Sequence, residues 1–208
     1  MKIALLISLL ILISACGSAE RDGYADSSFL KSSTELKKLQ SACNSGSGKD
    51  CDQLAMQLMV SQNIEDHKTI LALLNKGCEI GHAISCTHLG DIYSGPKIAE
   101  EDFTKAAEFY EKACTAGEQN GCSALAHLYF VGQGVEQDHK RSAALSEQSC
   151  KNNDALACNT AATHYLNGDG VQQSNDKALE LFKKACELNN EVSCQFLSKL
   201  QNKLHRYD

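Results

Sequence analysis

Ten of the eleven cysteines fall into five pairs whose members stand eight residues apart. The pairs are Cys43/Cys51, Cys78/Cys86, Cys114/Cys122, Cys150/Cys158 and Cys186/Cys194, and their first members follow one another at 35, 36, 36 and 36 residues. A period of this length, in segments rich in helix formers, means helical hairpins stacked on their neighbours, because a single hairpin cannot bury its own apolar face. The expected fold class is all-α: a right-handed α-solenoid of about five antiparallel helix pairs. Pro96, the only proline, suits a chain made of helices.

Aligned on the second cysteine of each pair, the chain reads CDQLAMQL, CTHLGDIY, CSALAHLY, CNTAATHY and CQFLSKLQ. Leu54, Leu89, Leu125, Ala161 and Leu197 stand three residues on, followed by the small Ala55, Gly90, Ala126, Ala162 and Ser198. Leu58, Tyr93, Tyr129, Tyr165 and Gln201 come three later. Offsets of 0, 3, 4 and 7 share one helical stripe, so these residues are core, and the small one lets a neighbouring helix approach. A second helix runs up to each first cysteine. Three residues beyond it stands Gly46, Gly81, Gly117, Asn153 or Asn189, the residue types that most readily take the left-handed conformation ending a helix. Gly132-Gln-Gly134-Val135 and Gly168-Asp-Gly170-Val171 lack the preceding strand of a dinucleotide site and read as bends.

Lys2 precedes an uncharged run from Ile3 to Ile13, then Ser14-Ala15-Cys16. A basic start, a short apolar stretch and small residues describe a secretory signal. The run falls short of the roughly twenty residues that span a bilayer. Ile13-Ser14-Ala15-Cys16 also resembles the lipobox of bacterial lipoproteins. That resemblance implies cleavage before Cys16, acylation of Cys16 and a membrane anchor through the N-terminal lipid. Gly17 in place of aspartate implies the outer membrane, with the chain facing the periplasm or the cell surface. The expected organisation is a signal at 1–15, a lipidated tether at 16–33, a repeat domain at 34–203 and a tail at 204–208.

In an exported chain the five pairs read as disulfides, Cys43–Cys51, Cys78–Cys86, Cys114–Cys122, Cys150–Cys158 and Cys186–Cys194, each stapling the corner of a helix pair. Zinc is the competing reading. The spacing is wider than the usual zinc loops and no histidine recurs beside the pairs, so no metal and no cofactor is expected. Without residues 1–15, 19 basic face 26 acidic residues, a formal −7. That balance, with no tryptophan and no basic cluster, argues against a nucleic acid as partner.

Leu125 to Tyr129, Gly132 to Val135, Asp176-Lys177-Ala178 and Phe182 to Cys186 closely resemble the Sel1-like repeat, a relative of the tetratricopeptide repeat. The paired cysteines narrow the resemblance to the Helicobacter cysteine-rich protein type. It covers about residues 36–203; the first unit departs by lacking the Gly-x-Gly turn, and the second replaces it with Ser94-Gly95-Pro96-Lys97.

Some proteins of the cysteine-rich type bind penicillin with weak β-lactamase activity, which the resemblance brings in as an alternative function. Serine enzymes of that chemistry use Ser-x-x-Lys, matched by Ser28/Lys31, Ser94/Lys97 and Ser174/Lys177. No Ser-Asp-Asn or Lys-Thr-Gly accompanies them. Ser174 and Lys177 are the catalytic candidates, and helix capping is the ordinary alternative for Ser174. The tetratricopeptide pattern implies instead a concave groove presenting Thr87, His88, Asp91 and Ser94, then Ser123, His127 and Phe130, then Asn159, Thr163, Leu166 and Asn167. The function expected first is a monomeric, membrane-anchored, periplasm-facing scaffold that binds a protein or peptide in this groove, one version being immunity to a secreted toxin. A purely structural envelope protein is the third reading.

Overall fold

The computed structural model describes residues 32–61 and 66–204. Among them run ten helices: α1 Ser33–Asn44, α2 Gly48–Ser61, α3 His67–Glu79, α4 Ala83–Tyr93, α5 Phe103–Thr115, α6 Gln119–Val131, α7 His139–Lys151, α8 Ala155–Asn167, α9 Asn175–Glu187 and α10 Glu191–Leu204. Each packs on the next in the chain, and α2, α4, α6 and α8 also touch one another in turn across a repeat. This is a two-layered α-solenoid, with the even-numbered helices forming a continuous layer.

Two kinds of turn alternate. After each odd helix a turn of three residues leads into the next helix, and Gly46, Gly81, Gly117, Asn153 and Asn189 all hold positive φ there. The cysteines flanking each such turn are bonded to each other, with Cα atoms 4.5–4.8 Å apart. In each case the amide of the left-handed residue bonds back to the carbonyl of the first cysteine of the pair.

The turns after α6 and α8 are longer and share one hydrogen-bond plan. Gly132 and Gly168 close their helices at φ 72° and 80°. The side-chain amides of Gln137 and Gln173 donate to the carbonyls of Phe130 and Leu166, each at 2.8 Å. The amides of Asp138 and Ser174 donate to the carbonyls of Tyr129 and Tyr165. Gly134, at φ 70°, rests on the backbone of Phe103, and Gly170 rests on that of His139; a Cβ at either would lie within 2.4 Å of main-chain atoms. The Gly-x-Gly pair is thus a helix stop followed by a contact with the preceding repeat.

Apolar burial follows the expected stripe: Cys51, Leu54, Ala55, Cys86, Leu89, Cys122, Leu125, Ala126, Cys158, Ala161 and Ala162 are all buried. Gly90 admits the ring of Tyr110, which would lie 2.4–2.8 Å from a Cβ there. Phe182 occupies the same register on α9. On α7 that position is Ser146, buried with no hydrogen-bond partner for its hydroxyl, so the middle of the solenoid lacks the aromatic plug of its neighbours.

Candidate interaction face

Cross-links of a polar kind run along the even layer. Asp52 on α2 accepts from the hydroxyl of Ser85 at 3.0 Å and from Nδ1 of His88 at 2.9 Å, both on α4. Thr87 donates to Glu118 at 2.6 Å, at the start of α6. Ser123 bonds to Asp154 at the start of α8. Ser193 on α10 donates to Asn159 on α8 at 2.8 Å. Each bond spans 31–36 residues, one repeat, so the ladder sets the spacing of the layer.

Several expected groove residues belong to that ladder. Thr87 is buried, because the second turn of α4 lies against the Glu118 cap of the next repeat, and it presents no binding surface. Ser123 and Asn159 are half-buried with their side chains engaged. Ser94 donates to the Asp91 carbonyl and lies 3.2 Å from the Tyr110 hydroxyl. Phe130 is half-buried, its ring 5.4 Å from that of His139 and 5.2 Å from that of His164, as a packing residue. Asp91 and His127 are exposed and Thr163 half-buried, and they occupy the same register, five residues past the second cysteine, in consecutive repeats. Asn167 is exposed and holds Asp169, and Leu166 is half-buried.

The structure brings His88 and Asp91 together in a cleft of about 480 Å³ whose other walls include Met56, Met59, Ile92, Pro96, Lys97 and Ile98. His88 stands half-buried with the carboxylate of Asp52 behind it; that hydrogen bond raises its pKa against the opposing cost of burial. Asp91 accepts from the hydroxyl of Tyr110 at 2.8 Å, and burial pushes that phenol well above its ordinary value. Met56 and Met59 were not singled out by sequence reasoning. Their signal was register, since Met56 stands where Asp91, His127 and Thr163 stand, and Met59 where Ser94, Phe130 and Leu166 stand.

Ser174 and Lys177 do not meet as nucleophile and base. Ser174 is the N-cap of α9, its hydroxyl accepting from the Lys177 amide at 3.3 Å, while the Lys177 ammonium lies 3.1 Å from both carboxylate oxygens of Glu180. Asp102 and Asp138 cap α5 and α7 in the same way, so the position asks only for a short side-chain acceptor. Lys97 of the second match is exposed beside Pro96; Ser28 and Lys31 lie outside the described residues, as does Cys16.

One serine–histidine pair escaped the sequence reading. His164, where other repeats have Ile92 or Leu128, is fully buried, with Nε2 2.8 Å from the Ser142 hydroxyl and Nδ1 2.8 Å from the Asp169 carbonyl. A carbonyl only accepts, so Nδ1 carries a proton toward Asp169, while the Ser142 hydroxyl beside Nε2 also donates to the Ala126 carbonyl at 2.7 Å. Burial lowers the His164 pKa. With Ser142 also fully buried, the pair is a core hydrogen bond closed to substrate. Among the described residues no three His, Cys, Asp or Glu side chains gather to hold a metal ion. Nor, among them, is any helix long and apolar enough to cross a membrane.

None of the curated proteins matches the chain. Among solved structures it is similar to a protective antigen of uropathogenic Escherichia coli displaying an SLR fold, at 24% identity and a TM-score of 0.75, covering 81% of this chain. The chain spans only 36% of that protein's length. A Sel1 repeat protein from Oxalobacter formigenes matches at 18% identity and a TM-score of 0.67, over 79% of this chain and 66% of that one. Cysteine-rich protein B of Helicobacter pylori matches at 27% identity and a TM-score of 0.51, over 64% of this chain and 96% of that one. The Sel1 repeat model matches residues 83–118, 120–154 and 155–190, so that each disulfide within this span joins one repeat to the next. The chain belongs to the Sel1 repeat family.

Proposed function

We propose that this protein is an exported, lipid-anchored scaffold that holds a protein partner against the even-numbered helices. The observation that carries the reading is the row Asp91, His127 and Thr163, set at one-repeat intervals on a layer whose spacing the polar ladder maintains. A Sel1 repeat scaffold is suited to protein–protein interaction, and repeated positions on stacked helices offer an extended partner the same contact several times over. Five disulfides favour an oxidising compartment. The lipobox-like Ile13-Ser14-Ala15-Cys16 supports anchoring through Cys16, with the chain in the periplasm. The formal charge of −7 left after removal of residues 1–15 favours a basic partner, for which a secreted toxin held in check is one form.

The test is capture of partners from solubilised membranes by the wild type and by the triple variant Asp91→Asn, His127→Ala, Thr163→Ala. The reading expects a partner held by the first and lost by the second. A partner held equally by both sinks the proposed face, and radiolabel on Cys16 absent after growth on labelled fatty acid sinks the anchor. A β-lactam-binding role finds no support at Ser174, whose hydroxyl is spent on a helix cap.

A further inference from the structure

Met56, Met59 and His88 line one cleft, and the chain has no other methionine than Met1. On α2, Asp52, Met56 and Met59 stand at offsets of 0, 4 and 7, a single helical stripe, and that stripe faces α4 because Asp52 bonds across to His88. The two methionines therefore share the face of α2 from which Asp52 reaches the imidazole, and they border the same cleft as His88. With Nδ1 donating its proton to Asp52 at 2.9 Å, the neutral ring keeps its lone pair on Nε2, on the side away from the carboxylate.

A carboxylate behind an imidazole is the arrangement that orients histidines for metal ions and raises their basicity. Thioethers narrow the metal: soft sulfur donors select Cu(I), whereas Zn(II), Mg(II) and Ca(II) prefer nitrogen, oxygen or thiolate. Methionine ligands also remain competent where thiols are consumed as disulfides, as the five pairs here are. Asp52 is fastened a second time, by the hydroxyl of Ser85, itself 3.0 Å from Nδ1 of His82. The imidazole is thus held from behind by a fixed anion and is not a surface side chain free to turn.

We propose that the cleft binds one Cu(I) ion through the sulfurs of Met56 and Met59 and Nε2 of His88, with Asp52 as the carboxylate that positions the ring. The cleft shares Asp91 with the partner-binding row, but none of the three proposed ligands belongs to that row. Binding exchanges solvent for three neutral donors and involves no electron transfer, so the silver ion, of the same charge and softness, serves as an air-stable probe.

The experiment uses the full chain carrying Cys16→Ser, with absence of free thiol verified by a thiol reagent, and with methionine methyls labelled with carbon-13. Three methionines limit the spectrum to three methyl signals. One equivalent of Ag(I) is expected to shift the two signals lost in Met56→Leu and Met59→Leu, and to leave that of Met1 in place. In anaerobic competition with a chromophoric Cu(I) chelator, the protein should withdraw one copper per chain. His88→Ala and the double variant Met56→Leu, Met59→Leu should withdraw none, and Asp52→Asn should bind roughly 10- to 100-fold more weakly. Zn(II) in the same titration should leave the methyl signals unmoved. Unshifted Met56 and Met59 methyls at one equivalent of Ag(I), in the wild-type fold, overturn the proposal whatever the variants do. So does copper withdrawal that survives in a folded double variant.

Discussion

Substituting the glycines one at a time by alanine separates two costs that the turns combine. Gly117, at φ 86°, has nothing within 4 Å of an added Cβ, so Gly117→Ala probes the left-handed backbone alone. That conformation costs an L-residue about 1–2 kcal/mol, offset by about 0.4–1 kcal/mol from the stiffer unfolded chain. Gly132→Ala adds a contact of 3.1 Å with the Cβ of Gln137. Gly134→Ala places a Cβ 2.2 Å from the carbonyl carbon and oxygen of Phe103, main-chain atoms at the start of α5 that cannot swing aside. Overpacking of that kind costs a further 1–3 kcal/mol or so. The expected order of destabilisation is Gly117→Ala near 1 kcal/mol, Gly132→Ala slightly more, and Gly134→Ala about 2–4 kcal/mol. At about 2–4 °C per kcal/mol for a chain of this size, Gly134→Ala should lower the first melting transition by roughly 4–16 °C. Gly170→Ala, whose Cβ would meet the backbone of His139 at 2.3 Å, should match it. The assay is thermal unfolding of the oxidised protein followed by circular dichroism. Gly134→Ala melting no lower than Gly117→Ala would refute the close-approach argument and leave Gly134 as a turn residue only.

The double replacement Cys150→Ala, Cys158→Ala removes a nine-residue closure and should cost about 2–3 kcal/mol in urea unfolding; no change would show that the turn is held by its left-handed residue alone. The two perturbed histidines should pull stability in opposite directions with pH. His164, lowered by burial, contributes stability present above about pH 6.5 and lost as pH falls below it, so His164→Leu should flatten the acid side of a stability profile. His88, raised by Asp52, contributes stability present below about pH 6.5 and lost as pH rises through its folded pKa, so His88→Ala should hurt more at pH 5 than at pH 8. Profiles with the same sign for both would contradict the assignments. Ser174→Ala should lose about 1 kcal/mol as a vacated cap while Ser174→Asp holds stability, and labelling by a fluorescent penicillin, if any occurs, should be indifferent to both.

Most of the fold could be read in the chain because its determinants are local and periodic. The cysteine spacing marked the corners, the left-handed Gly and Asn residues marked the helix ends, and the small residue after each leucine marked where helices meet. The side-to-side bonds were harder to see. Asp52 with His88 and Thr87 with Glu118 are 36 and 31 residues apart, and although one partner always stands just past the second cysteine of a pair, its chemistry changes from carboxylate at Asp52 to hydroxyl at Thr87 and Ser123 and amide at Asn159. The groove pattern of a related repeat therefore placed Thr87 on the surface although its hydroxyl serves the interior. The burial of His164 was equally hidden: the residue takes a position that is Ile92 or Leu128 elsewhere, and only the serines of α7, standing where α5 and α9 carry alanine or an aromatic, hinted that the interior there was polar. Gly134 read as a bend, and its contact with Phe103 required the path of the preceding repeat.

Where the staples lie also governs what a cut in the backbone can do. Each spans one of the short turns that follow α1, α3, α5, α7 and α9, so scission of a peptide bond inside any of these five turns releases no fragment until a reductant arrives. The longer turns after α6 and α8 have no such bridge, and there a single cut parts the chain into two pieces. A protease digest run with and without thiol would sort the scars into these two classes, and the scaffold can carry the first class through its working life without coming apart.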